Sequence, residues 1–149
     1  MIALALDLGD RRIGIAASDP LGLTAQPISV LERKSLVEDI AHIGELARRR
    51  RAQIIIVGLP LNMDGSVGPA ARRSRRFAAA LRKHLALPVE LWDERLTTVE
   101  AEKALLASGQ RRRQRRQLRD EVAAALLLQS YLDAHRTEAC PPDGRRERQ

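Results

Sequence analysis

The stretch Gln53-Ile54-Ile55-Ile56-Val57-Gly58 decides the fold. Ile54 to Val57 is an unbroken β-branched run, and such a run suits a strand covered on both faces, hence a parallel strand inside a sheet. Upstream, Ser35 is placed to cap a helix running to about Arg51, with Leu36, Ile40, Ile43 and Ala47 at helical spacing. Three strands are expected before it, over residues 2–8, 12–18 and 27–33, the first two joined by a turn at Gly9-Asp10. Downstream, residues 58–68 form a loop of turn-favouring residues, and Pro69 suits the first position of a helix reaching about Leu87. Another short strand is expected over residues 88–93. Thr97 and Glu100 make a capping-box pattern for a helix that Gly109 would stop. A basic segment then covers 110–119, an apolar helix 121–136, and a tail expected to be disordered 137–149. A strand meander followed by βα units predicts an α/β fold: a mixed central sheet with helices on both faces, in one domain over residues 1–136. In open sheets of this kind, the active site lies beyond the carboxyl ends of the central strands.

Composition agrees. A chain of 149 residues with 44% hydrophobic residues can bury a sizeable core, but with only 2% aromatics that core must be aliphatic. The net charge is +7, almost all of it from arginine, since Lys34, Lys83 and Lys103 are the lysines. A basic domain favours an anionic partner, and nucleic acid is the commonest. An apolar run long enough to cross a bilayer, roughly 20 residues, is missing, as is a basic segment ahead of the opening apolar residues. The single Cys140 has no internal partner, which fits a reducing cytoplasm.

The carboxylates near strand ends carry the chemistry. Alternation puts Asp7 on the same face of the first strand as Ala3 and Ala5, a face of small residues with room above it. A carboxylate there is costly unless a cation compensates it, although capping its own turn explains it equally well. Asp93 and Glu94 end a later strand, and either could serve; a surface turn paired with Arg95 is the simpler account of both. Asp120 and Glu121 stand where the last helix is expected to open, a place that favours negative charge in any protein. Asp120 shares a helical stripe with Ala124, Leu127 and Tyr131, so it can face the sheet. Carboxylates brought together repel unless a cation shields them, and hard oxygen ligands suit Mg²⁺ or Mn²⁺. Zinc is disfavoured because His42, His84 and His135 lack ligand spacing. The candidate nucleic-acid contacts are Arg12, Asn62 and Arg95 near the acids, Arg72, Arg73 and Arg76 on the second helix, and the run Arg111, Arg112, Arg113, Arg115 and Arg116. Like-charge blocks are usually solvated faces, but this run directly precedes a candidate acid.

As an ordered set these segments resemble the YqgF/RuvX family. Residues 7–19, Asp7-Leu8-Gly9-Asp10 through Ser18-Asp19, resemble its first motif. Gly58-Leu59-Pro60-Leu61-Asn62-Met63-Asp64-Gly65-Ser66 resembles its loop motif. Trp92-Asp93-Glu94-Arg95-Leu96-Thr97-Thr98 resembles its third motif, and Asp120 with Ala123-Ala124 and Leu128 to Leu132 resembles its last helix. The resemblance implies an RNase H-like fold, catalytic and metal-holding acids at Asp7, Glu94 and Asp120, and a nucleic-acid substrate. It implies either maturation of the 5′ end of precursor 16S ribosomal RNA or resolution of Holliday junctions. A symmetric junction would require a homodimer; RNA trimming would not. Asp10 and the arginine-rich run depart from the usual pattern without removing an expected ligand. Two other readings are a non-catalytic nucleic-acid-binding factor, which retention of all three acids opposes, and an actin-like phosphate-handling enzyme, which needs two lobes.

Overall fold

The computed structural model describes residues 1–97 and the helix at 112–139, the latter with its side chains from 122 to 136. The strands are β1 (Ala3–Leu8), β2 (Arg12–Ser18), β3 (Ala25–Glu32), β4 (Ile54–Leu59) and β5 (Val89–Asp93). The helices are α1 (Leu36–Arg50), α2 (Pro69–His84) and α3 (Arg112–Ala139), and Glu94–Leu96 forms a single 3-10 turn. The strands make one sheet in the order β3-β2-β1-β4-β5. β2 is antiparallel to β1 and β3, whereas β1, β4 and β5 run parallel. The β-branched run of β4 is therefore the parallel strand its composition predicts, paired on both sides.

Alternation along β1 divides the interior into two unlike cores. Leu4 and Leu6 join Ile13, Ile15, Ile55 and Val57 against Ile40, Ile43, Phe77 and Leu81 of α1 and α2. Fully burying such a side chain contributes about 1.5–3 kcal/mol, so this larger cluster is a main source of stability. The opposite face presents Ala3, Ala5 and Ala16 with Ile54 and Ile56, and receives Ala124, Leu127, Leu128, Tyr131 and Leu132 of α3. Its small residues leave room for a helix to lie across the strands and for polar groups at their ends.

The local signals at α1 hold. Ser35 accepts a hydrogen bond from the Glu38 backbone N–H at 3.1 Å and donates to Glu38 Oε1 at 3.0 Å. Arg51 closes the helix in the left-handed conformation, φ 58°. Other boundaries differ from expectation. β3 begins at Ala25, and Pro27 is accommodated because β3 is an edge strand with a bulge opposite, between Ile15 and Ala16. α2 ends at His84, short of Leu87, because Leu85 is already extended on the approach to Pro88. The largest correction concerns α3, which starts at Arg112 and not near Asp120. Arginine, glutamine and leucine are good helix formers, so the basic segment continues the helix without an apolar period to announce it. At its other end the helix reaches Ala139, three residues into the expected tail. The capping box beyond Thr97, the stop at Gly109 and residues 140–149 lie outside the described residues. No described helix is long and apolar enough to cross a membrane.

Candidate active site

The sheet register brings the first two acids together. Asp7 follows the Leu6–Val57 pair, so it stands level with Gly58 on β4 and is paired with Gly14 on β2. Gly58 is in turn level with Trp92 of β5. All four positions share the α3 face of the sheet, and Asp7 is flanked on both sides by residues without side chains. The chain then leaves β5 in the 3-10 turn, where Asp93 caps the start by accepting from the Arg95 backbone N–H at 2.9 Å. That turn carries Glu94 back across β4. A β-carbon on Gly58 would lie 2.4 Å from Glu94 Oε2 and 3.1 Å from its Cδ and Cγ. The Glu94 carboxyl thus occupies the space that any other residue at 58 would fill, and reaches Asp7 over it.

This proximity has an electrostatic signature. Burial, then the negative charge of Asp7, then a hydrogen bond shared with Asp7, and last the charge of Asp93 push the Glu94 carboxyl up to about 8 from an ordinary 4.5. At neutral pH the two carboxyls therefore share a proton. A pair of carboxyls that cannot both ionise is a place where a cation can replace that proton. The glycine-lined recess leaves it room, and the all-oxygen donor set matches a hard divalent ion. Among the described residues no group of three metal-ligating side chains is complete. Asp120 lies on α3 one turn before Ala124, on the stripe whose Ala124, Leu127 and Tyr131 are buried against the sheet. It sits in the interior of the helix, so a helix N-terminus does not account for an acid there.

The remaining candidates separate into two groups. Arg95 is engaged locally: its Nη2 and Nε donate to Asp93 Oδ2 at 2.7 and 3.0 Å, and its Nη1 donates to the Met63 carbonyl at 3.3 Å. The same ion pair holds Asp93 below the usual carboxylate range. Asn62 also braces the β4–α2 loop, its Nδ2 donating to Ser66 Oγ at 2.8 Å. Arg72, Arg73 and Arg76 lie on the exposed face of α2. Arg72 donates to the Val67 carbonyl at 3.3 Å, and Arg73 pairs with Asp10 at 2.9 Å across the mouth of the β1–β2 turn. Arg12 begins β2 and is half-buried. Arg112, Arg113, Arg115 and Arg116 occupy the first turns of α3, and Arg111 lies outside the described residues.

Sequence reasoning missed Gly14 and Gly58. The available signal was glycine inside a strand, which often marks a close approach by another group. It also missed an aromatic cluster behind the site. Trp92 meets Tyr131 edge-on at 5.3 Å, Tyr131 stacks on His135 at 3.9 Å, and Trp92 Nε1 donates to Ser130 Oγ at 3.0 Å. That cluster joins β5 to α3. An open groove of about 740 Å³ lies on the other side of the sheet between α1 and the end of α2. Its Glu45 pairs with Arg48 and Arg49, so it offers no convergent acids and is not the site.

This sheet with its paired acids is an RNase H-like fold of the Holliday junction resolvase type. The Thermus thermophilus RuvC structure with a Holliday junction substrate superposes with a TM-score of 0.59 at 16% identity, over 91% of this chain and 96% of that one. The fowlpox virus Holliday junction resolvase gives 0.55 at 14% identity, over 90% and 99%. At those identities the likeness is one of fold. Family membership comes from sequence: residues 1–134 match the model of RuvX, described as a Holliday junction resolvase, and the chain belongs to that family. Relatives named "Putative pre-16S rRNA nuclease" are 50% identical in Myxococcus xanthus over 143 residues, 96% of this chain and 92% of the relative. In Pelotomaculum thermopropionicum the figure is 52% over 135 residues, 90% and 88%. The chain is a nuclease, a hydrolase of phosphodiester bonds.

Proposed function

We propose that the chain is a divalent-metal-dependent endonuclease that matures the 5′ end of precursor 16S ribosomal RNA in the cytoplasm. The observation that carries this reading is the Glu94 carboxyl folded over Gly58 beside Asp7, where burial and that neighbouring charge push it up to about 8. Asp7 and Glu94, joined by Asp120 from α3, would hold Mg²⁺ or Mn²⁺. Such an ion supplies an activated water and charge stabilisation for a leaving oxygen. The chain's own part is to fix the acids: Asp7 on a central strand, Glu94 on a turn anchored through Asp93 and Arg95. The arginines of α2 and the first turns of α3 draw in the phosphate backbone. The relatives' name favours the RNA substrate. The family description and the RuvC fold favour a second reading, cleavage of four-way DNA junctions by a homodimer. Incubating the full chain with precursor RNA and with a four-way junction, in Mg²⁺, Mn²⁺ or EDTA, tests both. Cleavage at the mature 5′ end, lost in EDTA, is expected. Paired symmetric nicks in the junction by a stable dimer, with the RNA left intact, would overturn the preference.

The acid pair also sets the pH dependence of stability without metal. The folded-state value for Glu94, about 8, lies above the ordinary 4.5, so between these limits the folded chain binds a proton that the unfolded chain has lost. Stability contributed by that proton is fully present below about pH 4.5 and is lost as pH rises through about 8. Thermal unfolding followed from pH 5 to 8.5 should show a midpoint that falls by a few degrees, roughly 3 °C or more. Saturating Mg²⁺ should oppose the fall. A midpoint that rises steadily over this range would disprove the shared proton.

The arginine run offers a separate test. Replacing Arg111, Arg112, Arg113, Arg115 and Arg116 with Gln should flatten the salt dependence of binding, each lost phosphate contact reducing the log–log slope by about 0.7 on a single strand or 0.9 on a duplex. An unchanged slope would transfer the role to Arg72, Arg73 and Arg76.

A further inference from the structure

Met63 is 91% exposed, more so than any other large apolar side chain described, with Leu21 and Val37 following at 76%. Exposed methionines on mobile tips need no explanation, but this tip is braced. Asn62 N–H donates to the Ser66 carbonyl at 3.0 Å, and Gly65 N–H donates to the Asn62 carbonyl at 2.8 Å with Gly65 at φ +87°. Ser66 donates to Asp64 Oδ1 from both its backbone N–H, at 2.9 Å, and its hydroxyl, at 2.6 Å. The tip is also tied to the acids, because the Met63 carbonyl accepts from Arg95, the residue after Glu94. Leu96, on the other side of Arg95, is 58% exposed. An apolar side chain is thus held out into solvent from a fixed loop at the edge of a nuclease site.

A folded nucleic acid bound at the acids would bring stacked bases to this edge, where a projecting apolar side chain is placed to part them. Proteins that open a stack insert an apolar wedge, methionine and leucine among them. Aromatic side chains are the usual platforms for bases, but Trp92 and Tyr131 are committed to each other at the seam between β5 and α3, and Phe77 is buried in the core. Methionine substitutes well, being unbranched and making favourable sulfur contacts with aromatic rings. We propose that Met63 is a base-unstacking wedge that parts the base pair beside the scissile phosphate in a folded RNA. The inference rests on the RNA reading given under Proposed function and adds how the paired region is engaged.

The test places 2-aminopurine beside the cleavage position in a precursor-derived RNA hairpin. The full chain carrying Asp7→Asn binds it without cleaving, and the same background with Met63→Ala or Met63→Leu is compared. Binding should raise the fluorescence with the native Met63 and with the Met63→Leu change, since leucine keeps the apolar bulk. It should leave the fluorescence low with the Met63→Ala change. In the otherwise wild-type chain, Met63→Ala should slow single-turnover cleavage of the paired hairpin about tenfold. A hairpin with two mismatches at the same place should restore the rate. Fluorescence that rises equally in all three, or fails to rise with Met63, would overturn the proposal, as would equal slowing on paired and mismatched RNA. A four-way DNA junction carrying the same probe is the parallel arm. Unstacking there but not in RNA would keep the wedge chemistry and overturn the RNA assignment. A wild-type chain that cuts neither polymer would overturn the functional reading while the fluorescence still judged Met63.

Discussion

Replacing Asp7 with Asn is expected to reduce cleavage by on the order of a thousandfold or more, while making the metal-free protein more resistant to heat. An amide fills the same volume on β1 but carries no charge, so it cannot help retain a cation. The loss of that charge removes the second-largest cause of the raised Glu94 value, after burial, and relieves the repulsion between the two groups. The stability gain should be greatest near pH 8, where the native pair carries most charge, and smallest below pH 5. Measuring the single-turnover rate and the unfolding midpoint on the same preparation separates chemistry from folding. Cleavage within tenfold of the native rate would exclude Asp7 from the reaction. Losses of similar size are expected for Glu94→Gln and Asp120→Asn; an active Asp120→Asn chain would leave a site built from the two sheet acids alone.

Gly58→Ala should be nearly as damaging, although it adds only a methyl group and removes no functional atom. The added carbon would lie 2.4 Å from Glu94 Oε2, well inside van der Waals contact. The backbone of residue 58 cannot give way, because β4 is hydrogen-bonded to β1 on one side and to β5 on the other. Glu94 must therefore swing out of the recess. A displacement of this kind commonly costs about a hundredfold in rate. Alanine is compatible with an extended strand, so the circular dichroism spectrum should be preserved. Near-native cleavage in a well-folded Gly58→Ala chain would show that Glu94 does not work from the position it holds here. Loss of the fold would leave the question to Gly58→Ala combined with Glu94→Asp, whose shorter side chain retreats from residue 58.

The two halves of this site were unequally legible in the sequence. The alternation of Leu4 and Leu6 against Ala3, Ala5 and Asp7 announces which face of β1 is small and which acid ends it. The β-branched run of β4 announces a parallel neighbour. Those are local patterns, and the structure agrees with them. That Glu94, not Asp93, turns toward Asp7 was fixed at the outset only by family resemblance. The structural cause is the 3-10 turn, in which Asp93 caps the turn and pairs with Arg95, leaving Glu94 to reverse over β4. Neither event leaves a periodic trace. Arg95 illustrates the same limit, since a cation beside acids suggests phosphate binding, yet its donors are engaged by Asp93 and the Met63 carbonyl. The start of α3 was misplaced for a different reason. Hydrophobic periodicity marks helices that bury a stripe, and a run of arginines has no stripe to show even when its backbone is helical.

The aromatic cluster behind the acids gives the molecule an optical gauge of its own assembly. Trp92 is the chain's one tryptophan, and it projects from the strand that leads to Glu94 onto the helix that bears Asp120. Its indole meets Tyr131 edge-on, lies 5.6 Å from the His135 ring and donates to Ser130, three contacts that all come from α3. Emission from this indole therefore registers whether the last helix is seated on the sheet, without a label and without any substrate. A titration with metal ion or with RNA can be followed from inside the protein, at the seam where its first strands and its final helix meet.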